Sequence, residues 1–434
     1  MPVDIDFHAI RPWPNSRNGG FEELCCQLAS LEPPAPEASF VRKEGAGGDD
    51  GVECYWTLED GSEYGWQAKY FFELGNSQWE QIDESVKAAL EGHEKLVRYT
   101  VCLPIDLPDR HKKGQTSLKA KWDARVKKWS GWTAKKGMSV EFIYWGSHQL
   151  GKRLTRDDPW YAGRTLYWFN TKILTAEWFR QKFERARVNV GERYTPELNV
   201  ELPIAKLFDG LARTPAFAAE IQALRRAWRE AISVAHRHLK ESDGEVTWRA
   251  LQADLDVVAG CLSTVLDNCL PDIVASFSIE ELAKACDDTQ EKLYACEEWL
   301  RASQSREDDP AIKKKTERLK DVRYAMSRLY GPLSDIKEFL RTHRVHATNS
   351  RAAVVLGEAG VGKSHLFCDI AASRTVKGWP TLLFLGQQLS YGNPWDSFLS
   401  ELDLRGQSVE QFLGALDAAA QAVGVRALIL IDAR

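Results

Sequence analysis

The stretch Gly357-Glu-Ala-Gly-Val-Gly-Lys-Ser364 fits the phosphate-binding loop pattern G-x-x-x-x-G-K-[ST]. It follows a short apolar run, residues 352–356, and precedes a helix-like segment at 365–373. A strand, a glycine loop and a helix start are the setting in which this pattern has a mechanism. Glycines let successive backbone N–H groups curl around phosphate oxygens, and the helix N-terminus favours an anion. Gly357, Glu358, Ala359, Gly360, Val361 and Gly362 would form the cradle, and His365 begins the helix. Lys363 would add a point charge on the β/γ-phosphates, and Ser364 would offer its hydroxyl to Mg²⁺.

A second element complements the loop. Arg426-Ala-Leu-Ile-Leu-Ile-Asp432 has the composition of a buried strand that ends in an acid. It reads as a Walker B strand, with Asp432 holding the water shell of the Mg²⁺ that accompanies ATP. Only Ala433 and Arg434 follow, so the chain reads as the front part of a longer protein.

A chain of 434 residues is long enough for two to four domains. Its net charge of −5 argues against a wholly basic surface, so any nucleic-acid contact must be local. Nine cysteines are scattered at 25, 26, 54, 102, 261, 269, 286, 296 and 368, with no C-x-x-C pair. That usage suggests reduced, buried thiols in a cytoplasmic protein, not a disulfide frame or a zinc site. The N-terminus lacks a basic-then-apolar signal, and no apolar run approaches the length of a membrane span.

Residues 1–170 alternate strand and helix signals. Helices are expected at 20–30, 78–92 and 117–129, and strands at 52–57, 64–72, 96–103 and 140–145, with a Glu-Asp-Gly turn at 59–61. One α/β domain with a mixed sheet follows from this order. From 171 to 345 the pattern is helical. Leu211, Phe217, Ile221, Leu224, Trp228 and Ile232 recur largely at spacings of three and four. Ser278-Ile-Glu-Glu281 is a capping box for the next helix, which carries Leu282, Leu293, Cys296 and Leu300. A polar break at 304–315 precedes a last helix with Leu319, Val322, Met326, Leu329, Leu333, Ile336 and Leu340, expected to kink at Gly331-Pro332. This part reads as a connector. Residues 346–434 begin a nucleotide-binding α/β domain.

The front domain carries its own constellation. The glycine-rich turn Gly45-Ala-Gly-Gly-Asp-Asp-Gly-Val-Glu53 leads into a strand, and a second strand follows, Tyr64-Gly-Trp-Gln-Ala-Lys69. Strand side chains repeat with period two, so Gln67 and Lys69 share a face. Two adjacent antiparallel strands would bring Asp50 or Glu53 close to them. Carboxylates and the Gln67 carbonyl could hold Mg²⁺ through oxygen ligands. Lys69 could orient an attacking water or stabilise developing phosphorane charge.

This arrangement resembles the Mrr-like branch of the PD-(D/E)XK nucleases in its Q-x-K variant. The resemblance implies a restriction-endonuclease-like mixed sheet, with Glu53 in place of the usual aspartate and Gln67 in place of the usual second acid. It leaves open whether Asp50 or Glu53 is the main metal ligand. Glu22 matches the early helix acid of these folds. The segment His111–Lys136 holds His111, Lys112, Lys113, Lys119, Lys121, Arg125, Lys127, Lys128, Lys135 and Lys136, interleaved with Trp122, Trp129 and Trp132. We expect the tryptophans to face the sheet and the basic side chains to face DNA phosphates.

The whole order is similar to the N-terminal part of the Avs-type antiviral STAND NTPases. The segment Gly191-Glu-Arg-Tyr-Thr-Pro-Glu-Leu-Asn-Val200 followed by Glu201-Leu-Pro-Ile204 adds to that likeness. The resemblance implies an antiphage effector: a Mg²⁺-dependent endonuclease acting on double-stranded DNA, gated by an ATP-binding switch. In such proteins a C-terminal sensor, which this sequence lacks, recognises a phage protein, and homo-oligomers form on activation. The resemblance also implies that the strand between the P-loop strand and the Walker B strand comes later in the chain, which leaves the 346–434 sheet incomplete. Two rivals remain: an NTP-dependent restriction endonuclease, and a non-catalytic NTP-binding signalling scaffold with a dead nuclease site.

Overall fold

Ser16 accepts a hydrogen bond from the Gly19 amide, satisfying one of the free donors of a first turn and starting α1 (Arg17–Ser30). Strand β1 (Ser39–Arg42) then pairs antiparallel with β2 (Cys54–Thr57), and β2 pairs antiparallel with β3 (Glu63–Ala68). The turn between β2 and β3 is the expected one. Asp60 accepts from the Ser62 amide, and Gly61 supplies the positive φ of +79°. Helix α2 (Asn76–Gly92) carries the chain over to β4 (Leu96–Cys102), and α3 (Leu118–Lys135) carries it to β5 (Glu141–Trp145). Both crossovers produce parallel pairings, so the sheet is mixed, in the order β1-β2-β3-β4-β5. Helices α4 (Ser147–Leu154), α5 (Pro159–Phe169) and α6 (Ala176–Val190) follow.

The computed structural model describes residues 5–43, 50–109, 116–198, 204–240, 276–277, 279–304, 310–389 and 392–433. They fall into two units, Met1–Leu198 with Ala359–Arg434, and Asn199–Glu358. This division differs from the boundaries expected at 170 and 345. Helix α6 belongs with the front unit, and so does most of the segment 346–434.

In the first unit the five-stranded sheet is covered on both faces. One face buries Trp79, Ile82 and Val86 of α2 and Trp122 and Trp129 of α3 against Tyr99 and Val101. The other buries Phe21, Leu24 and Leu28 of α1 and Trp168 of α5 against Trp56, Trp66 and Ala68. That second core continues into the C-terminal segment and takes in Leu382, Phe384, Phe412 and Leu416. The segment contains α12 (Lys363–Val376), β6 (Thr381–Leu385), α13 (Pro394–Glu401), α14 (Val409–Ala422) and β7 (Leu428–Asp432). Strands β6 and β7 pair parallel, with Leu385 beside Asp432.

The second unit is helical: α7 (Ala205–Leu211), α8 (Pro215–Lys240), α9 (Ile279–Gln304), α10 (Pro310–Leu340) and α11 (His343–Thr348). Its core contains Phe217, Ile221, Trp228 and Ile232 of α8, Leu282 and Leu293 of α9, and Met326, Leu329, Leu333 and Ile336 of α10. These are the positions that the three- and four-residue spacing marks. Helix α10 contains Pro332 and continues through it. The capping Ser278 and residues 305–309 of the polar break lie outside the described residues.

One expected element is missing. Residues 352–356 form no strand, and Val354 and Leu356 are exposed. A strand exists through its ladder, and among the described residues the only pairing in the C-terminal segment is β6 with β7.

Candidate functional site

Glu53 is the residue just before β2. Its amide donates to the Trp66 carbonyl at 2.8 Å, so Glu53 stays against β3 just past the last register pair, Cys54 with Trp66. The Gln67 amide nitrogen donates to Glu53 Oε1 in a short hydrogen bond. Gln67 sits on the central strand beside Val101 and is 1 % exposed. Its Oε1 is buried and has no hydrogen-bond partner among the described residues. A buried amide oxygen without a partner costs free energy unless a donor or a cation reaches it. Lys69 lies one residue past β3 and is half-buried; its amide donates to Cys102 O at 3.0 Å, so the parallel ladder continues through it.

Asp50 goes elsewhere. Asp50 and Gly51 both have positive φ, +43° and +78°. This turn seats Gly51 against the backbone of α2, where a Cβ would collide with Ser85 O, and the Tyr99 hydroxyl donates to Gly51 O at 2.6 Å. The Asp50 carboxylate therefore points to the end of α2, beside Gly92, and pairs with Lys43 at 2.8 Å. Lys43 holds the Asp50 carboxyl below its usual range. Lys43 also approaches His93 Nε2 at 3.1 Å, and His93 Nδ1 meets Glu63 at 2.6 Å. Asp50 thus belongs to a polar chain at the end of α2, whereas Glu53 and Gln67 meet. Of the carboxylates left open by the sequence, Glu53 is the one beside the Q-x-K strand. Residues 44–49 of the glycine turn lie outside the described residues. Glu22 accepts from Asn18 at 2.6 Å on α1, while its neighbour Glu23 is buried and bound to Gln27 and Arg42.

The basic segment divides in two. Trp122 and Trp129 pack inward, as their seven-residue spacing requires. The buried Asp83 carboxylate of α2 accepts from Trp129 Nε1 at 2.7 Å and pairs with Arg125 and Lys128. Lys119 pairs with Asp123, and Lys136 donates to Leu90 O. These cations are held by the protein itself. Lys127 and Lys135 stay exposed, and residues 110–115 lie outside the described residues.

In the C-terminal segment, Gly360 and Gly362 have φ of +84° and +89°, and a Cβ at either position would meet nothing within 4 Å. The glycines thus shape the loop and leave open space over it. Lys363 and Ser364 begin α12, whose preceding residue is Gly362. Gly357 and Glu358 belong to the second unit, so the chain division falls inside the loop. Asp432 ends β7 and is 8 % exposed. Burial, with Asp432 as the next cause, pushes the Cys368 thiol of α12 up to about 12.

Asp432 is paired with Arg193, Nη1 to Oδ2 at 3.5 Å. The sequence marks Arg193 only as part of the Gly191–Val200 segment; nothing in its spacing links it to an acid 239 positions away.

Among the described residues no group of three or more His, Cys, Asp or Glu side chains could hold a metal ion. No helix among them is long and apolar enough to cross a membrane. No family model matches the chain, and neither a curated protein nor a solved structure matches it.

Proposed function

We propose that this chain is the effector and switch portion of an antiphage defence protein: a Mg²⁺-dependent endonuclease for double-stranded DNA gated by an ATP-binding STAND module. The observation that carries the nuclease reading is the Glu53–Gln67 side-chain hydrogen bond, with the Gln67 side-chain carbonyl buried and without a partner among the described residues. That donor set fits a hard cation, for which carboxylate and amide oxygens are the natural ligands. Glu53 and Gln67 would hold Mg²⁺, which when bound polarises a phosphodiester and lowers the pKa of a bound water. Lys69, two residues along from Gln67, would stabilise charge on the phosphate.

The switch reading rests on the Gly360–Gly362 cradle and the buried Asp432. Gly357–Ser364 would receive the ATP phosphates, and Ser364 and Asp432 would share the Mg²⁺. A phage protein would act as trigger and self-association as the activating step. Lys127 and Lys135 are the side chains best placed to meet DNA.

The competing non-catalytic scaffold draws on one observation: the Gln67 amide already occupies a Glu53 oxygen, where other members of the fold carry two acids. Relaxation and linearisation of supercoiled plasmid in Mg²⁺ separates the two. Cleavage by the wild-type chain that Glu53→Gln removes supports the nuclease. Equal cleavage by both proteins, or none by wild type at high protein concentration in Mg²⁺ or Mn²⁺, rules it out.

A further inference from the structure

Three consecutive residues after α6 converge on the nucleotide elements of the first unit. Gly191, with φ of +60°, turns the chain out of the helix. Arg193 donates through Nε to Val190 O at 3.2 Å and reaches Asp432 with Nη1. The Tyr194 ring stands 5.0 Å from the His365 imidazole, inclined by 57°. The Thr195 amide donates to His365 Nδ1 at 3.5 Å. His365 follows Ser364, so the segment grips both sides of the candidate cation site, the strand acid and the start of the loop helix.

The Asp432 carboxylate is almost withdrawn from water, and a buried carboxylate needs a cation. Arg193 supplies one, at a distance longer than the 2.7–2.9 Å usual for charge-assisted hydrogen bonds. The Arg193 side chain is 37 % exposed, so it can swing into water without first being unburied. A guanidinium and a Mg²⁺ cannot both sit against this carboxylate without strong repulsion.

We infer that Arg193 is the displaceable counter-ion of Asp432: it holds the cation's place until a Mg²⁺–nucleoside triphosphate expels it. This rests on the phosphate-loop reading. Because Arg193 is continuous with Tyr194 and Thr195 on one side and is tied to the end of α6 on the other, its release loosens the grip on His365 and frees that end of α6. The segment Gly191–Thr195 is then a reporter of nucleotide occupancy.

The test is calorimetric titration of the 434-residue chain with ATP, once with excess Mg²⁺ and once with EDTA. Arg193→Gln should bind ATP about tenfold more tightly in Mg²⁺, equivalent to about 1.4 kcal/mol, and show no such gain in EDTA. Adding Asp432→Asn should erase the gain. In wild type, Mg²⁺–ATP should speed hydrogen exchange at the Thr195 amide. Unchanged or weaker Mg²⁺–ATP binding by Arg193→Gln overturns the inference, the weaker case meaning that Arg193 contacts phosphate directly. Lys363→Ala tests the reading beneath it: binding equal to wild type, or no binding by wild type, removes the phosphate site itself.

Discussion

Gly163 of α5 and Gly414 of α14 meet backbone to backbone. A Cβ on Gly163 would overlap the Gly414 carbonyl carbon, and one on Gly414 would stand 3.1 Å from Gly163 Cα. The two helices can pack this closely only because both positions lack side chains. Beside them, Arg164 is fully buried and binds Asp417 at 3.0 Å.

Gly163→Val should therefore force α5 and α14 apart. Overpacking of this kind costs about 1–3 kcal/mol. Asp417→Asn should also destabilise, by up to about 3–5 kcal/mol and by a different route, because it leaves the Arg164 guanidinium buried without its carboxylate. Denaturant unfolding of both variants checks this; wild-type midpoints would mean that the helices are not packed together in solution.

Lys69→Ala should lower plasmid cleavage by about a hundredfold or more, the scale for removing a group that stabilises transition-state charge. Asp50→Asn should leave cleavage within a few-fold of wild type, since Asp50 is engaged with Lys43. Circular dichroism of each variant verifies the fold. The reverse order of effects would return the ligand role to Asp50.

Lys127→Glu with Lys135→Glu should weaken DNA binding and reduce the slope of log affinity against log salt by about 0.9 for each phosphate that the protein no longer neutralises. Lys128→Glu should instead lower stability, because it sets a carboxylate against the buried Asp83. Fluorescence anisotropy across a salt series, with melting curves, distinguishes a DNA face from a solvated one.

Burial, joined by a hydrogen bond to Cys102, raises the Cys25 thiol. A hydrogen bond to Cys54, together with burial, raises Cys26. Both stay protonated in the folded chain at a pH where the unfolded chain ionises. Their effect is nil below the unfolded value and destabilising as pH rises above it, at about 1.4 kcal/mol per pH unit for each thiol. Unfolding free energies between pH 8 and 10.5 should fall, and a Cys25→Ala, Cys26→Ala variant should fall less steeply.

Local pattern carried much of the fold. The Glu-Asp-Gly turn, the Gln67 strand and the Phe217–Ile232 stripe are written in neighbouring residues, and each appears where the spacing puts it. Placing Glu53 against Gln67 needed the strand register and the irregular step just before β2, where the Glu53 amide bonds to Trp66 O. The separation of Asp50 was not legible, because it depends on two left-handed residues seated on α2. Residues 352–356 have a strand's composition but no ladder, and composition cannot supply a partner. Arg193 and Asp432, like Gly163 and Gly414, are neighbours only through tertiary packing, and no sequence period joins them.

The first unit draws its core from two stretches of chain with the helical unit between them. Phe21, Leu24 and Trp168 wait for Phe412 and Leu416, which leave the ribosome roughly 220 residues after α6. At bacterial or eukaryotic elongation rates that is roughly 10–45 s. Until then the side of α5 that packs on α14 stays without its partner. The first unit would then not reach its final form before its C-terminal elements exist; on the function proposed above, order of synthesis itself would guard against an effector without its switch.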